Sequence, residues 1–306
     1  MPSPLLRTSD LVLADLDDSA LRSAARRGEM HRIVRGAYLP AADWAALSAR
    51  GRYAEVVRAR AERLGPRLVL SHDSAAVLWG YPTLDPWPPE VHARHRGRST
   101  GKRTATLVVH PAPPSLESVD VDGFPCTTAA RTSVDLALAG GFARGVLAFD
   151  HALRAGIATR QECRDLLARQ PRARNGRNAR VALDLATPAS ESPGESISRA
   201  ALHEAGFEAP ELQRTFAWGN GRAYRVDFWW PSVGVVGEFD GEVKYLDEAL
   251  RRGLSAERVV LEEKRREDAL RAHPEVRGLV RWDYATARSP QRLAAVLRAA
   301  GVPRRR

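Results

Sequence analysis

Apolar positions along the chain switch between helical and strand spacing, and the switches mark out its elements. The first clear helical stripe is D-D-S-A-L-R-S-A-A-R-R-G. Leu21, Ala24 and Ala25 share a face, Asp17 or Asp18 is placed to cap the start, and Gly28 to stop the end. M-H-R-I-V-R-G-A-Y-L then alternates apolar and basic residues around Gly36, which predicts two short strands or a strand with a tight turn. Beyond residue 40, helical spacing covers Ala54 to Leu64, T-T-A-A-R-T-S-V-D-L-A-L-A and F-A-R-G-V-L-A-F-D-H-A-L-R. Ser71-His72-Asp73-Ser74 supplies a cap for A-A-V-L-W-G, while T-A-T-L-V-V-H and E-S-V-D-V-D-G-F-P predict strands.

Residues 169–192 are rich in Arg, Asn, Ser, Pro and Gly and predict a linker, within which V-A-L-D-L-A completes a helix. A new pattern opens with S-P-G-E, where Ser192 caps a helix from Pro193 to Ala205, Glu195 takes its third position and Gly206 ends it. Two strands joined by Gly219-Asn220-Gly221 follow, then the strand S-V-G-V-V-G-E-F-D-G-E-V-K-Y and a charged helix from Leu254 to Ala272. G-L-V-R-W-D-Y and Pro290 to Ala300 close the chain as strand and helix. The expected class is a multidomain α+β / α/β protein. Its parts are a winged-helix-like unit at 1–40, a mixed α+β module at 41–168, a linker at 169–192 and a final domain at 193–306 with a central mixed β-sheet flanked by helices.

With 44% hydrophobic and 27% charged residues the chain is expected to fold into real cores. No apolar run reaches the roughly 18 residues of a membrane helix, and the start lacks a basic segment followed by a long apolar one. The expectation is a soluble cytoplasmic protein with no membrane partner. Cys126 and Cys163 stand far apart, which encodes neither a disulfide framework nor a zinc ribbon. The net charge of +10 points to a polyanion, with nucleic acid as the default. That charge concentrates in residues 92–103, in residues 160–180 and in the tail Arg304, Arg305 and Arg306. The rival is a set of solvated arginine-rich loops. His92 and His95 are three residues apart, while His72 and His110 are isolated; surface histidines are favoured over metal ligands.

Candidate chemistry lies in the final domain. Asp227 falls inside R-V-D-F-W-W and Glu238 at the end of V-G-V-V-G-E, two otherwise apolar strands where an unpaired carboxylate loses several kcal/mol of solvation. Alternation puts Glu238 and Asp240 on one face, and strand pairing can bring Asp227 to the same edge. Such oxygen ligands suit Mg²⁺ (or Mn²⁺). The rival for Asp227 and Glu238 is an ion pair with Arg225 or Lys244. For Asp240 it is the Asp240-Gly241 hairpin turn, for Glu195 a capping box, and for Lys264 a solvated helix face. Only three lysines occur, Lys102, Lys244 and Lys264, and two of them are in this domain, where an amine can orient or deprotonate a nucleophile.

E-S-P-G-E-S-I-S-R, Gln213, V-D-F, G-E-F-D-G-E-V-K-Y, E-K-R-R-E-D-A-L-R and V-R-W, spread from Glu191 to Trp282, resemble the PD-(D/E)xK nuclease superfamily, its Vsr-like branch above all. The resemblance implies a restriction-endonuclease-like fold. It implies Asp227 and Glu238 as metal ligands, Glu195 as an outer carboxylate, Lys244 or Lys264 as the basic partner, and Gln213 among the nucleic-acid contacts. Asp240 stands where the superfamily places its lysine. In the first part, L-R-S-A-A-R-R-G-E-M-H-R-I-V-R-G-A-Y-L-P, L-S-H-D-S-A-A-V-L-W-G and T-T-A-A-R-T-S-V-D-L-A resemble AbiEi-type antitoxins of type IV toxin-antitoxin systems. That resemblance implies a winged helix whose phosphate contacts would be Arg22, Arg26, Arg27, Arg32 and Arg35.

The leading expectation is a Mg²⁺-dependent endodeoxyribonuclease acting on DNA, in which Asp227, Glu238 and Asp240 hold the metal. A DNA-binding regulator or antitoxin with an inactive nuclease-like fold is the second reading. A protein-interaction subunit that binds a cognate toxin or a second copy is the third.

Overall fold

The computed structural model describes residues 6–7, 19–218, 221–240 and 256–305. The expected caps Asp17 and Asp18, most of the Gly219-Asn220-Gly221 turn, and Lys244 lie outside the described residues. The chain is a mixed α+β protein with three sheets among those residues, and it divides into two compact units. The first comprises 1–139 and 161–170, the second 140–160 and 171–306. This partition differs from the expected boundaries at 168 and 193, for a reason given below.

In the first unit β1 (Leu6–Arg7), β2 (Met30–Val34) and β3 (Ala37–Pro40) form an antiparallel sheet in the order β1-β3-β2. Gly36, at φ +74, makes the tight turn between β2 and β3. α1 (Ser19–Arg26) precedes them and ends at Gly28, also left-handed, as its sequence position predicts. α2 (Ala41–Ala46) and α3 (Ala49–Ala61) follow, and α3 begins earlier than its apolar spacing suggests because the Ser48 hydroxyl accepts from Gly51 N–H.

The six-stranded sheet of this unit runs β6-β7-β5-β4-β9-β8, from β4 (Leu68–Leu70), β5 (Val91–Arg96), β6 (Lys102–Arg103), β7 (Leu107–Ala112), β8 (Val119–Val121) and β9 (Phe124–Cys126). β5 pairs in parallel with β7 and antiparallel with β4. α4 (His72–Trp79) leaves directly from the end of β4 and closes with left-handed Gly80; α5 (Ala129–Gly140) follows β9. Tyr53, Val57, Leu70, Val77, Val91 and Cys126 form the core. α7 (Arg160–Ala168) belongs mostly to this unit.

The second unit starts with α6 (Phe142–Arg154) and takes in α8 (Gly176–Leu185), which occupies the stretch expected as a linker. Ala179, Ala182 and Leu183 are buried along one side of α8, which includes most of the expected helical V-A-L-D-L-A and begins earlier, in its Arg- and Asn-rich surroundings. α9 (Pro193–Glu204) packs on α6, and the buried Arg199 guanidinium donates to Asp150 Oδ2 at 2.7 Å. Thr187 N–H donates to the other oxygen of Asp150. The apolar stripe and this ion pair explain why 140–160 and 171–192 fold with the final domain.

β10 (Glu211–Ala217), β11 (Ala223–Trp230), β12 (Val235–Phe239) and β13 (Gly278–Trp282) form a mixed sheet in that order, with only the β12–β13 pair parallel. One face meets α9: Trp282 Nε1 donates to Ser198 Oγ at 2.7 Å, and Gly194 lies against the Phe239 ring. By alternation Val236 faces the other side, where it clusters with Phe216, Trp229 and Leu270 of α10 (Ala256–Arg271). α11 (Tyr284–Ala287) and α12 (Pro290–Ala299) complete the unit. Among the described residues no helix is long and apolar enough to cross a membrane.

Candidate functional site

The carboxylates of the second unit are placed by strand register and by one helix start. Phe228 pairs with Gly237, so Asp227 and Glu238, one residue further along each strand, are opposite neighbours. Phe239 N–H donates to Asp227 Oδ2 at 2.9 Å. Glu195 approaches from the first turn of α9. There Ser192 Oγ accepts from Glu195 N–H, and Glu195 Oε2 accepts from Glu191 N–H at 2.8 Å. The capping arrangement is therefore present, and it aims a buried carboxylate at Asp227. Gln213 Nε2 donates to the same Glu195 oxygen at 2.9 Å. Gln213 does so from φ +55, in a gap of the β10–β11 ladder between the pairs Leu212–Phe228 and Arg214–Val226. A left-handed residue other than glycine inside a strand is strained, and such strain gathers at functional positions.

Burial, reinforced by the Glu195 charge, pushes the Asp227 carboxyl up to about 7; Glu238 adds to this, while the Phe239 N–H opposes it. Burial also raises Glu238, against the pull of Arg266 and Arg281. Those two arginines take both of its oxygens: Arg266 donates to Oε1 and Arg281 to Oε2, the latter at 3.0 Å. Arg281 also holds Glu263 of α10, and Arg266 caps the carbonyl of Arg225. The basic partners of Glu238 are thus arginines from α10 and β13. The expected partner Arg225 is committed to Glu191, and Lys264 lies exposed on α10. Asp240 continues the ladder through its N–H to Trp282 O at 2.9 Å, and the carboxylates that bear on Asp227 are Glu195 and Glu238.

The basic segments also look different in three dimensions. In 92–103, Arg94 is held by Asp135, Arg96 by Ser118 and the Leu116 carbonyl, and Arg103 by Glu90. Several of the arginines that composition assigns to a polyanion are therefore fastened to the protein itself. Arg22, Arg26, Arg27, Arg32 and Arg35 are all exposed on α1 and the β2–β3 hairpin, with Arg27 paired to Glu29.

A second polar cluster occupies the first unit, and here the sequence expectation fails. His72, His92 and His110 do not lie apart on the surface: among the described residues they are the group of three metal-ligating side chains whose donor atoms all lie within 4.8 Å of one another. Alternation puts His92 and Arg94 on one face of β5 and His95 on the other. Register pairs Arg94 with His110, which makes His110 the diagonal neighbour of His92. His92 Nδ1 and His110 Nε2 are 3.1 Å apart, and the His72 and His110 rings stack at 3.8 Å. His72 is buried and holds φ +49 at the start of α4, where the Ser71 hydroxyl meets its Nδ1 instead of capping a backbone N–H.

Behind His72 lies Asp135 of α5, fully buried, with Oδ2 at 3.7 Å from His72 Nδ1. Arg94 donates to both Asp135 oxygens and Arg131 to one. Burial works to raise the Asp135 carboxyl, but His72, Arg94 and Arg131 outweigh it and hold it well below the usual range. Burial depresses His72 strongly and takes His110 down to about 4, helped there by His92 and Arg94. Both imidazoles are neutral at physiological pH, the form that ligates metals.

No family model matches the chain. It is 29% identical over 177 residues to two uncharacterised proteins of Mycobacterium tuberculosis, MT2308 and Rv2248, with 58% of this chain and 64% of each relative aligned. The match therefore spans a little under two thirds of their length. The crystal structure of RV2827C from the same organism resembles it at 18% identity with a TM-score of 0.38, covering 71% of this chain and 84% of that one.

Proposed function

We propose that the protein is a divalent-metal-dependent endodeoxyribonuclease, with a Vsr-like PD-(D/E)xK domain in its second unit and an AbiEi-like, winged-helix-bearing DNA-binding region in its first. The observation that carries this reading is Asp227, half-buried and under the charge of Glu195 and Glu238, so that its own ionisation is opposed until about pH 7. A carboxylate whose ionisation is opposed by neighbouring carboxylates is relieved by a cation.

The donor set suits Mg²⁺ or Mn²⁺. Asp227 Oδ2 accepts from the Phe239 N–H and Glu195 Oε2 from Glu191 N–H and Gln213, so Asp227 Oδ1 and Glu195 Oε1 are the oxygens that would hold a cation. Glu238 joins them when Arg266 or Arg281 releases an oxygen. When bound, such an ion polarises a phosphoryl oxygen and lowers the pKa of water beside it. The protein's own part is positioning. Gln213 and the α9 cap fix Glu195, and the Phe239 N–H fixes Asp227. The guanidinium groups of Arg266 and Arg281, freed from Glu238, become donors for a phosphate. The exposed arginines of α1 and the β2–β3 hairpin supply backbone contacts to DNA.

A second reading, an inactive DNA-binding regulator or antitoxin, is favoured by the engagement of both Glu238 oxygens by arginine and by Asp240 in place of the superfamily lysine. Incubation of supercoiled plasmid and labelled single strands with Mg²⁺ or Mn²⁺ separates the two. The nuclease reading expects nicking that Asp227→Ala and Glu238→Ala each reduce at least ~100-fold, the scale of losing one transition-state electrostatic contact. Salt-sensitive duplex binding without cleavage establishes the regulator.

A further inference from the structure

Three separate segments converge in the first unit: the β4–α4 junction brings His72, β5 brings His92 and β7 brings His110. Hydrophobic packing alone gives no reason to collect three imidazoles there. Two features mark the cluster as more than a chance contact. His72 is held at φ +49, a conformation that costs a β-carbon residue free energy unless the surroundings dictate it. Asp135, buried and ionised, stands behind His72 on the Nδ1 side, with two arginines balancing its charge.

Ser71 Oγ is the hydrogen-bond partner of His72 Nδ1 at 3.0 Å and the Asp135 charge stands beyond it at 3.7 Å, an arrangement akin to the outer partners of histidine metal sites. A carboxylate accepting from one ring nitrogen fixes the tautomer and presents the other as a ligand. Ser71 and Asp135 address Nδ1 of His72, so its Nε2 is the donor nitrogen. His92 Nδ1 and His110 Nε2 already face each other at 3.1 Å. The edge of a tetrahedron with Zn–N near 2.0–2.1 Å is roughly 3.3 Å, so this pair needs to open only slightly. His72 is buried while His92 and His110 are half-exposed, which gives an ion a path from solvent. The His72 and His110 rings stack at 3.8 Å, and χ2, the torsion that would turn their nitrogens toward a common ion, is soft for imidazole.

We propose that His72, His92 and His110 form a three-nitrogen site for a zinc-class divalent cation, with Asp135 orienting His72 and the fourth coordination position open to water or an anion. Nitrogen donors select Zn²⁺, Co²⁺ or Ni²⁺ over Mg²⁺. The site is chemically distinct from the oxygen-rich cluster of the second unit and does not depend on the nuclease reading. Three neutral ligands leave the ion its full positive charge, so an anionic fourth ligand such as a carboxylate or phosphate oxygen is favoured.

The full chain, stripped with chelator and titrated with Co²⁺, tests this. One equivalent is expected to give the visible bands of four-coordinate Co²⁺, bleached by Zn²⁺ and untouched by a large excess of Mg²⁺. His92→Gln and His110→Gln should each abolish the bands, while Asp227→Asn leaves them intact. Asp135→Asn should weaken affinity about 10- to 100-fold, as loss of a second-sphere partner does elsewhere. The wild-type protein supplies a readout that needs no variant, the X-ray absorption spectrum of the Zn²⁺-loaded chain, in which imidazole scattering is expected. A ligand shell of oxygen alone, bands that persist in the histidine variants, or no stoichiometric binding would overturn the proposal.

Discussion

Asp135 and Asp227 are both shielded carboxylates set close to other ionisable groups, yet their environments drive them in opposite directions. Asp135 is wrapped by Arg94, Arg131 and His72 and stays ionised far into acid. Asp227 has Glu195 and Glu238 beside it, one backbone N–H for support, and a carboxyl that titrates near 7. Burial is common to both; the sign of the neighbouring charge decides the outcome. The first unit thus balances its buried carboxylate with its own cationic side chains, while in the second the carboxylates Glu195 and Glu238 add negative charge beside Asp227. A protein that binds cations at both places would need soft nitrogen-seeking ions at one and hard oxygen-seeking ions at the other.

The contrast can be broken most forcefully at Asp135. Asp135→Ala strips the partner from two guanidinium groups that are only 12% and 15% exposed, and a cost of about 3–5 kcal/mol is expected for such an orphaned buried charge. A lower urea midpoint followed by tryptophan fluorescence checks it. An unchanged midpoint would mean that the arginines find water and that the network contributes little. Because the folded pKa of Asp135 is depressed, its contribution is present above about pH 4 and lost on acidification below that.

Asp227 should behave with the opposite sign. Its folded pKa is about 7, so between the ordinary carboxyl value near 4 and pH 7 the folded state holds a proton that the unfolded state has released. Stability therefore falls as pH rises through that window, by something on the order of 3 kcal/mol for the metal-free chain. Asp227→Asn should flatten the slope and stabilise the protein at pH 8. In the wild type, Mg²⁺ should restore stability at pH 8 and lose affinity below pH 7, where protons compete. A pH profile that is the same in wild type and variant would remove Asp227 from the candidate site.

The smallest effect sharpens the role of packing behind the carboxylates. A Cβ on Gly194 would come within 2.0 Å of Phe239 Cε1, a ring whose own backbone N–H holds Asp227. Gly194→Ala should cost about 1–3 kcal/mol, as overpacking does. If the second unit carries the metal site, the variant should also weaken Mg²⁺ binding without touching any ligand. Isothermal titration beside thermal unfolding separates the two consequences.

Much of the second unit's framework was legible from local pattern. Ser192, Pro193 and Glu195 announced α9 through capping chemistry that acts within one turn, and the apolar alternation around Asp227 and Glu238 marked their strands. The oddity of carboxylates in apolar strands singled out Asp227 and Glu238 as candidates, because an unpaired charge in an apolar strand is costly whatever its neighbours. The role of Arg266 and Arg281 was not legible. Both fall in segments that carry the resemblance, E-K-R-R-E-D-A-L-R and V-R-W, but only the packing of α10 and the parallel pairing of β13 bring them to Glu238. In 169–192 the expected helix at V-A-L-D-L-A is present as part of α8, but its start at Gly176 was not legible because polar neighbours diluted the stripe of Ala179, Ala182 and Leu183.

The histidine cluster shows where local reading stops. His72, His92 and His110 share no motif spacing, since they are joined by a parallel β5–β7 pairing and by a helix that springs from β4. By itself the sequence determined the starts of α9 and α12, the strand faces, the left-handed glycine turns and the presence of charge in apolar strands, all set by interactions between residues a few positions apart. The tertiary structure alone decided which charges meet. It placed arginines around Asp135 and carboxylates around Asp227, and it gathered three imidazoles, because long-range strand pairing and helix packing determine the dielectric and the neighbours that each ionisable group experiences.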